Sequence, residues 1–377
     1  MPRDYQICKR CVMDTTDPDI VFDENGYCNH CTGALKKLNS YPINLTKEEK
    51  EKELQKIVTA VKESGKNNQY DCIVGVSGGV DSSYVLYLVK QLGLRPLAFH
   101  LDNEWNTELS EKNIEKVTQK LGVKLHTMHV DWEEFKDLQL SYLKSSTPDL
   151  EIPTDHGLLA ALYQVAAEYN VKYIISGHNF ITENITVPTW SHGHYDWRYV
   201  RLMQKRFGTR KLTSFPHLGM YALASQQIFK GIKIIRILNY VSEYDKKKII
   251  SFLEKEFGWQ NYITKHAESI YTFFVQAYIL PTKFNYDKRK MHLSDLICAG
   301  QMTREEAVET LKKPLFTDTE LKEMIDLVCK KLGISKEEFE ALMKLPNKSY
   351  YDYPSNETHP IYRVLRELYK KVKPQIQ

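Results

Sequence analysis

The segment VGVSGGVDSS, residues 74–83, has the composition of a loop that binds phosphate. An apolar run ends in it, two adjacent glycines permit a tight turn, and the residues after them can begin a helix. Backbone N–H groups at such a helix N-terminus bind anions, and serine hydroxyls add further donors. The spacing predicts a phosphate site made by Ser77, Gly78, Gly79, Ser82 and Ser83.

Asp81 places a carboxylate inside this loop, and a carboxylate is unexpected in a site that binds only anions. Because Mg²⁺ bridges phosphate oxygens and few carboxylates, Asp81 is predicted to hold the magnesium ion of a nucleotide. Neither GxxxxGK[ST] nor GxGxxG occurs in this segment, which excludes the Walker and Rossmann types of loop. The alternative is a glycine-rich turn without a ligand, and the position of the whole string after a buried strand favours the phosphate site.

Four cysteines form two CxxC pairs separated by sixteen residues. Four thiolates at this spacing predict a structural Zn²⁺ site, in which a closed tetrahedral shell orders a segment too small to fold alone. An iron–sulfur cluster is the alternative, since four cysteines do not select the metal. The predicted ligands are Cys8, Cys11, Cys28 and Cys31.

Charged residues interleaved with aromatic residues and proline occupy two later stretches, 265–268 and 283–292. Such a mixture suits the binding of an acidic sugar or of pyrophosphate, and a solvated helix face is the alternative. The candidate catalytic residues there are His266, Lys283 and Arg289. Asp155, just before a predicted helix, is a further candidate, although helix capping explains it equally well.

Elements that could position these residues alternate between short apolar runs and helical stretches. Strands are predicted at 72–76, 96–101, 124–130, 172–176 and 233–238. Their continuous apolar runs indicate burial on both faces, which predicts an α/β fold with a doubly wound, mostly parallel sheet. The predicted units are a Cys₄ zinc knuckle at 1–38, a linker helix at 39–65, a nucleotide-binding domain at 66–241 and a helical substrate-binding region at 242–377.

Composition narrows the class of protein. The 377 residues carry a formal net charge of +4, which suits an anionic small molecule and is too weak to indicate a nucleic-acid partner. The chain has no apolar stretch of eighteen residues, and its first residues lack the apolar core of a secretory signal. We therefore expect a cytoplasmic protein that has no membrane partner.

The string SGGVDSS at 77–83 resembles the pyrophosphate loop of the PP-loop ATP pyrophosphatases, whose fold is of the adenine nucleotide alpha hydrolase-like type. Members of that superfamily cleave ATP between the α and β phosphates and adenylate a substrate oxygen. The resemblance implies ATP and Mg²⁺ as cofactors. It also implies nucleotide contacts at the ends of the second and fourth strands, from Phe99, His100, Leu101, Gly177 and His178.

Longer stretches resemble the N-acetyl sugar amidotransferases of bacterial surface-glycan pathways, including those for pseudaminic, legionaminic and acetamidino-uronic acids. The shared text covers nearly the whole chain and includes the cysteine-containing segment, VSGGVDSSY, PTDHG, YIISGHN, KGIKIIRILNYV and residues 264–307. This resemblance implies that the acetamido oxygen of an N-acetyl sugar, free or nucleotide-linked, is adenylated and then replaced by ammonia. The products would be an acetamidino sugar, AMP and pyrophosphate.

In such a reaction Ser77 and Asp81 would act at the phosphates, and Asp155 would assist the metal or ammonia. A glutaminase with an N-terminal nucleophile has Cys after Met1, and this chain has Pro2. Ammonia is therefore expected from solution or from another protein, and the resemblance favours a separate glutaminase subunit.

The alternative function is that of a PP-loop tRNA 2-thiolation enzyme, a class that also places a Cys₄ knuckle before the loop. Such enzymes need cysteines near the nucleotide to carry sulfur. Cys72 and Cys329 lie in apolar surroundings typical of a core, and Cys298 is less easily assigned. A third possibility is a zinc-dependent interaction module that keeps only an ATP-binding fold.

Overall fold

Five parallel strands form one sheet at the centre of the computed structural model, which describes residues 4–262, 267–362 and 364. The order across the sheet is β3-β2-β1-β4-β5, and all four pairings are parallel. The strands are β1 (Cys72–Gly75), β2 (Pro96–Asp102), β3 (Leu125–His129), β4 (Tyr173–Ser176) and β5 (Lys233–Arg236). The strand order reverses at β1, and in open sheets of this kind ligands bind beside that point, at the carboxyl ends of the strands.

Fourteen α-helices surround the sheet within the described residues. Those before β5 are α1 (Asn29–Leu38), α2 (Lys47–Gly65), α3 (Val80–Gln91), α4 (Glu108–Leu121), α5 (Trp132–Ser145), α6 (Ile152–Glu168), α7 (Trp197–Phe207) and α8 (Met220–Ile228). Those after it are α9 (Lys246–Phe257), α10 (Ile270–Phe274), α11 (Lys288–Cys298), α12 (Arg304–Lys312), α13 (Asp318–Leu332) and α14 (Lys336–Met343). A π-helix over Val275–Phe284 continues α10. None of the described helices combines the length and the apolar character needed to cross a bilayer.

Successive residues of β1 face opposite layers of helices. Ile73 joins a core cluster with residues of α5, α6 and α7, whereas Val74 joins a second cluster with residues of α2, α3, α4 and α9. Both side chains are fully buried because helices cover each face of the sheet. The predicted doubly wound parallel sheet is confirmed.

The helical residues after 242 divide between two positions. Helix α9 packs on α3 and α4, whereas α10 to α14 contribute to the other face of the molecule and to the contact with the N-terminal segment. Capping boxes start α12 at Thr303 and α14 at Ser335. The unit boundaries at 38, 65 and 241 stay predictions.

Two carboxylates of α5 hold the segment between α7 and α8, which contains no regular element over 208–219. Glu134 accepts hydrogen bonds from the backbone N–H groups of 213, 214 and 215. Asp137 accepts from the N–H groups of Thr209 and Arg210, each at 2.8 Å. These bonds replace the backbone pairing that a helix or strand would provide.

We predict that Asp137→Asn lowers the free energy of unfolding at pH 7 by about 2 kcal/mol or more, because an amide cannot accept all of these bonds. Burial by itself would raise the pKa of Asp137, but the hydrogen bonds from Arg210 and Thr209 outweigh it and hold the pKa below its usual value. The stabilisation is therefore complete above the unfolded pKa near 3.8 and is lost as pH falls through the lower folded value.

Urea unfolding of the wild type and of the Asp137→Asn variant between pH 7 and pH 2.5 tests this prediction. The difference between their free energies of unfolding should become smaller toward pH 2.5. Glu168→Gln, which neutralises an exposed acid on α6, is the control and should leave stability within about 0.5 kcal/mol. A constant difference across the pH range would contradict the assigned role of the carboxylate.

Candidate nucleotide site and metal centre

The phosphate loop, residues 77–83, connects the carboxyl end of β1 to α3 in the predicted strand–turn–helix arrangement. Gly79 occupies the N-cap of α3, and no side chain caps the helix there, so the first N–H groups face the cleft beside the loop. The Ser82 hydroxyl accepts the Ser77 N–H at 3.2 Å, and the Ser77 hydroxyl accepts the Gly79 N–H at 3.3 Å. The loop is thereby shaped to present donors to an anion.

Gly78 has a backbone conformation that excludes other residues. Its φ is +81°, and a Cβ atom built there would lie 2.6 Å from the Ser110 carbonyl oxygen. The Gly78 carbonyl oxygen accepts hydrogen bonds from the Trp259 indole at 2.8 Å and the Tyr262 hydroxyl at 3.1 Å. The turn is therefore fixed from outside by residues that follow α9.

The residue after β4, Gly177, packs closely against the first turn of α3 and also restrains the start of that helix. A Cβ atom at Gly177 would lie 3.2 Å from both the Asp81 carbonyl carbon and the Ser82 nitrogen. Gly177 and His178 both line the cleft, and their contacts with a nucleotide stay predictions. Ser83 does not line it, because its side chain is buried within the first turn of α3.

Asp81 lies in the first turn of α3 and lines the cleft. The Tyr244 hydroxyl donates to its Oδ1, and Gln301 holds Tyr244 by donating to the backbone carbonyl of that residue at 2.7 Å. Burial raises the pKa of Tyr244, so the phenol remains a neutral donor. A carboxylate fixed beside the loop serines fits the predicted magnesium ligand.

Glu268, the last residue of the charged stretch 265–268, brings a second carboxylate to the loop. The sequence predicted a binding role for this stretch but did not place Glu268 beside Ser77. The Ser77 hydroxyl lies 3.5 Å from Glu268 Oε1, and the Glu268 carbonyl accepts the Thr107 N–H at 3.0 Å. An isolated antiparallel bridge between Asn106 and Ser269 fixes the same segment against the residues after β2. Two carboxylates beside a phosphate loop fit a divalent cation better than one does.

The end of β2 supplies a neutral imidazole. His100 Nδ1 lies 2.9 Å from the Val76 carbonyl oxygen and must donate to it, so Nε2 accepts from the Asn106 amide at 2.9 Å. Burial lowers the pKa of His100, which agrees with this tautomer. His100 and Leu101 line the cleft, but Phe99 does not, because its side chain is in the core and its carbonyl accepts the Val76 N–H.

The cleft has a volume of about 1910 Å³ and continues from the loop to α6, α8, α10 and α11. This exceeds the roughly 300–1,000 Å³ typical of a site for one small molecule, so a nucleotide leaves room for a second ligand. Its far wall contains acidic, basic and hydroxyl groups, from Glu151, Asp155, Lys288 and Thr272.

Of the other predicted residues, only Asp155 lies in the cleft, where it forms an ion pair with His194 at 2.9 Å. The Lys283 ammonium instead caps the end of α14 by donating to three carbonyl groups at 342, 343 and 345. The Arg289 guanidinium is bound to Asp287 and to the Lys313 carbonyl. Neither lines the cleft, and His266 lies outside the described residues.

The four N-terminal cysteines converge, and their sulfur atoms all lie within 4.8 Å of one another. The Cys8–Cys31 and Cys11–Cys28 sulfur pairs are 3.7 and 3.6 Å apart. A tetrahedral shell with Zn–S bonds of about 2.3 Å requires sulfur separations of roughly 3.75 Å, so the residues fit zinc. Backbone N–H groups of Cys11 and Cys28 also point at the Cys8 sulfur, as expected for a thiolate.

The cysteine segment (residues 4–38), called the knuckle below, packs against helices α11 and α12. The Arg304 guanidinium donates to the Cys8 and Cys11 carbonyls, and Ser294 accepts the Val12 N–H. The Cys298 thiol lies against the Cys31 carbonyl at 3.9 Å, and burial raises its pKa to about 12. Cys298 is therefore part of the contact with the knuckle and does not line the cleft.

Comparison with known families gives two matches. Residues 51–147 match the NAD synthase family, and residues 268–369 match the family described as LPS biosynthesis protein WbpG-like, C-terminal domain. The first match contains the phosphate loop and the second begins at Glu268, so the two meet in the cleft. The nucleotide-binding domain is thus of the PP-loop type.

Individual relatives align over part of the chain. An uncharacterized protein of Methanocaldococcus jannaschii is 29% identical over 45% of this chain and 58% of its own length. A tRNA-specific 2-thiouridylase MnmA of Tolumonas auensis is 28% identical over 44% of this chain and 45% of its own length. Among solved structures, NMN synthetase from Francisella tularensis aligns at 14% identity over 81% of this chain and 98% of that chain, with a TM-score of 0.32.

We predict that Gly78→Ala weakens ATP binding at least tenfold, because the new methyl group would meet the Ser110 carbonyl in a conformation already unfavourable for alanine. Calorimetric titration with a non-hydrolysable ATP analogue measures the effect. Gly33→Ala is the control, since Gly33 lies in α1 with no atom within 4 Å of an added Cβ. Equal affinity of the Gly78 variant and the wild type would show that the turn does not bind phosphate.

We predict that Cys28→Ser removes one zinc ion per chain and lowers the melting temperature, since the metal contributes its binding free energy to folding. Metal content by plasma mass spectrometry and thermal unfolding measure both effects. Cys298→Ser should retain the full metal content because its sulfur is not among the four converging atoms. Iron in place of zinc would identify the alternative cluster.

Proposed function

We propose that this chain converts the acetamido group of an N-acetyl sugar into an acetamidino group. The chain joins an NAD synthase-like PP-loop domain to a WbpG-like C-terminal domain, and this combination supports an N-acetyl sugar amidotransferase-type PP-loop family. The acetamido oxygen attacks the α-phosphate of ATP and releases pyrophosphate. Ammonia then adds to the activated carbon, and AMP leaves with the former acetamido oxygen.

One observation carries this proposal: the phosphate loop and the WbpG-like region line the same cleft. Ser77, Gly79 and Asp81 form one end of it, and residues from Glu268 to His292 contribute the wall that continues from there. A second substrate bound against that wall would share the cleft with a nucleotide held by the loop. This arrangement suits transfer of an adenylyl group to the second substrate.

Adenylation overcomes the low reactivity of an amide. The oxygen of an unactivated acetamido group is a poor leaving group, whereas AMP is a good one. The first N–H groups of α3 and the serine hydroxyls would bind the departing pyrophosphate. Asp81 and Glu268 would hold Mg²⁺, which would neutralise negative charge at the phosphates.

The wall of the cleft suits an acidic or nucleotide-linked sugar. Lys288 lines it, and so do Lys233 and Arg236, the first and last residues of β5. Cations that line a cleft attract and orient an anionic substrate. Ammonia is expected from a separate glutaminase, because the amidation step needs a nitrogen donor.

A PP-loop tRNA thiolase is the second candidate, favoured by the similarity to MnmA proteins. Sulfur transfer by such an enzyme would need a cysteine beside the nucleotide. All seven cysteines lie in the described part of the chain, and none of them lines the cleft. The amidotransferase reaction has no such requirement.

The reaction is tested by incubating the protein with ATP, Mg²⁺, ammonium chloride and a panel of N-acetyl sugars, including nonulosonic acids and nucleotide-linked forms. We predict a product about one mass unit lighter than the sugar, formed together with one AMP and one pyrophosphate. Asp81→Asn should lower AMP formation by about 100-fold or more, because the ligand for the metal is lost.

Glu168→Gln, on the exposed face of α6, is the matched control for loss of one acid and should keep full activity. Formation of ADP instead of AMP, or AMP release with no change in the mass of any sugar, would contradict the amidotransferase proposal. Sulfur incorporation into tRNA would favour the second candidate.

A further inference from the structure

Glu151, immediately before α6, has a side chain that helix capping does not explain. It occupies the N-cap position, yet its carboxylate makes no capping hydrogen bond. The residue is 8% exposed and lines the cleft. Its Oε2 accepts the Thr272 hydroxyl at 2.6 Å, whereas its Oε1 is buried with no hydrogen-bond partner in the described part of the chain.

An unpaired carboxylate oxygen inside a protein is unfavourable, because water has been removed and no donor replaces it. Such an atom in the wall of a substrate cleft is a position at which a ligand can supply the missing donor. The available acceptor is a single oxygen, with a hydroxyl beside it. A small molecule with several N–H bonds and a positive charge matches this environment.

Both acidic and basic side chains lie near Glu151. Asp155 is one turn along α6, and Tyr271 precedes the residue that donates to Oε2. Lys288 and His194 are the nearby cations. Burial, followed by Asp155, raises the pKa of Glu151 to about 7, so the carboxyl can hold or release a proton near neutral pH.

The position of Glu151 relative to the phosphate loop is fixed by α10. Thr272, which binds the Glu151 carboxylate, is four residues after Glu268, whose carboxylate lies beside Ser77. The intervening residues form the first turn of α10, and one turn advances about 5 Å. Glu151 and Glu268 both line the cleft, so the Glu151 carboxylate lies on the wall that continues from the phosphate loop.

We propose that Glu151 binds ammonium in the cleft and accepts its proton, which makes Glu151 a catalytic residue of the amidation step. This inference rests on the proposed function. The carboxylate takes one proton from NH₄⁺, and the nitrogen lone pair of NH₃ forms a bond to the adenylated carbon. The carbon–oxygen bond to AMP then breaks, AMP leaves with that electron pair, and the product is a protonated amidine.

A metal ion is a poorer occupant of this position. Mg²⁺ and Ca²⁺ require about six oxygen ligands, and the four cysteines are the one group of three or more metal-ligating side chains found in the described residues. The unpaired carboxylate oxygen and the neighbouring hydroxyl oxygen can accept two of the four N–H bonds of a single ammonium ion.

The test uses Glu151→Gln in the full-length protein, with the sugar that the wild type amidates. ATP–pyrophosphate exchange without ammonium reports adenylation, and amidine formation at varied ammonium chloride reports the second step. We expect exchange within twofold of the wild type and an ammonium KM at least tenfold higher. The wild-type ammonium KM should rise as pH falls through about 7, since the carboxylate becomes protonated, and the variant should lose this dependence.

Glu151→Asp provides a second variant that keeps the charge and withdraws it by one methylene. It should retain the pH dependence and show an intermediate ammonium KM. It also allows the proposal to be tested if Glu151→Gln is unstable. Glu168→Gln should match the wild type in every assay.

An unchanged ammonium KM in both Glu151 variants would overturn the assignment while leaving the amidotransferase function intact. Equal losses of exchange and amidine formation would also overturn it, because they would indicate a structural role. If the wild type formed no AMP with any N-acetyl sugar, the proposed function would fail, and this inference with it.

Discussion

The Gly78 carbonyl oxygen, held by the Trp259 indole and the Tyr262 hydroxyl, is the contact on which the nucleotide site depends. Glycine adopts φ near +81° without steric cost, but it adopts its other conformations as readily and so does not by itself select this turn. Two donors from one segment select the single conformation in which the loop N–H groups face the cleft. The residues after α9 therefore belong functionally to the phosphate site, although they lie about 180 positions later in the chain.

The knuckle affects the cleft through α11. One side of this helix contacts the knuckle, through the ion pair between Lys290 and Asp14 and the bond from the Val12 N–H to Ser294. The same helix presents Lys288 to the cleft, together with Met291 and His292. A metal bound by the four cysteines would order a segment with little core of its own, and through these contacts it would also hold the helix that forms one wall of the cleft.

The pKa values of the buried carboxylates differ according to the groups that surround each of them. Asp137 and Glu134 are surrounded by backbone N–H groups, which outweigh the effect of burial and hold the pKa of each below its usual value. Glu151 has a single hydroxyl as its donor, so burial prevails and raises its pKa to about 7. The first environment keeps a charge for structural purposes, and the second leaves a proton acceptor available in the cleft. Position in the sequence does not distinguish these acids, because all three lie on or next to helices α5 and α6.

The sequence by itself determined the features that depend on short spacing: the turn at 77–83, the two CxxC pairs and the apolar runs of the parallel sheet. Each is local, because a few neighbouring residues fix both the backbone geometry and the chemical groups. Tertiary structure decided which distant side chains enter the cleft. It directed Lys283 to the end of α14 and Arg289 to Asp287, and it brought Glu151 and Glu268 toward the phosphates. Charged residues at these positions look alike in the sequence, and the contacts that each side chain makes in the folded chain determine which of them face the cleft.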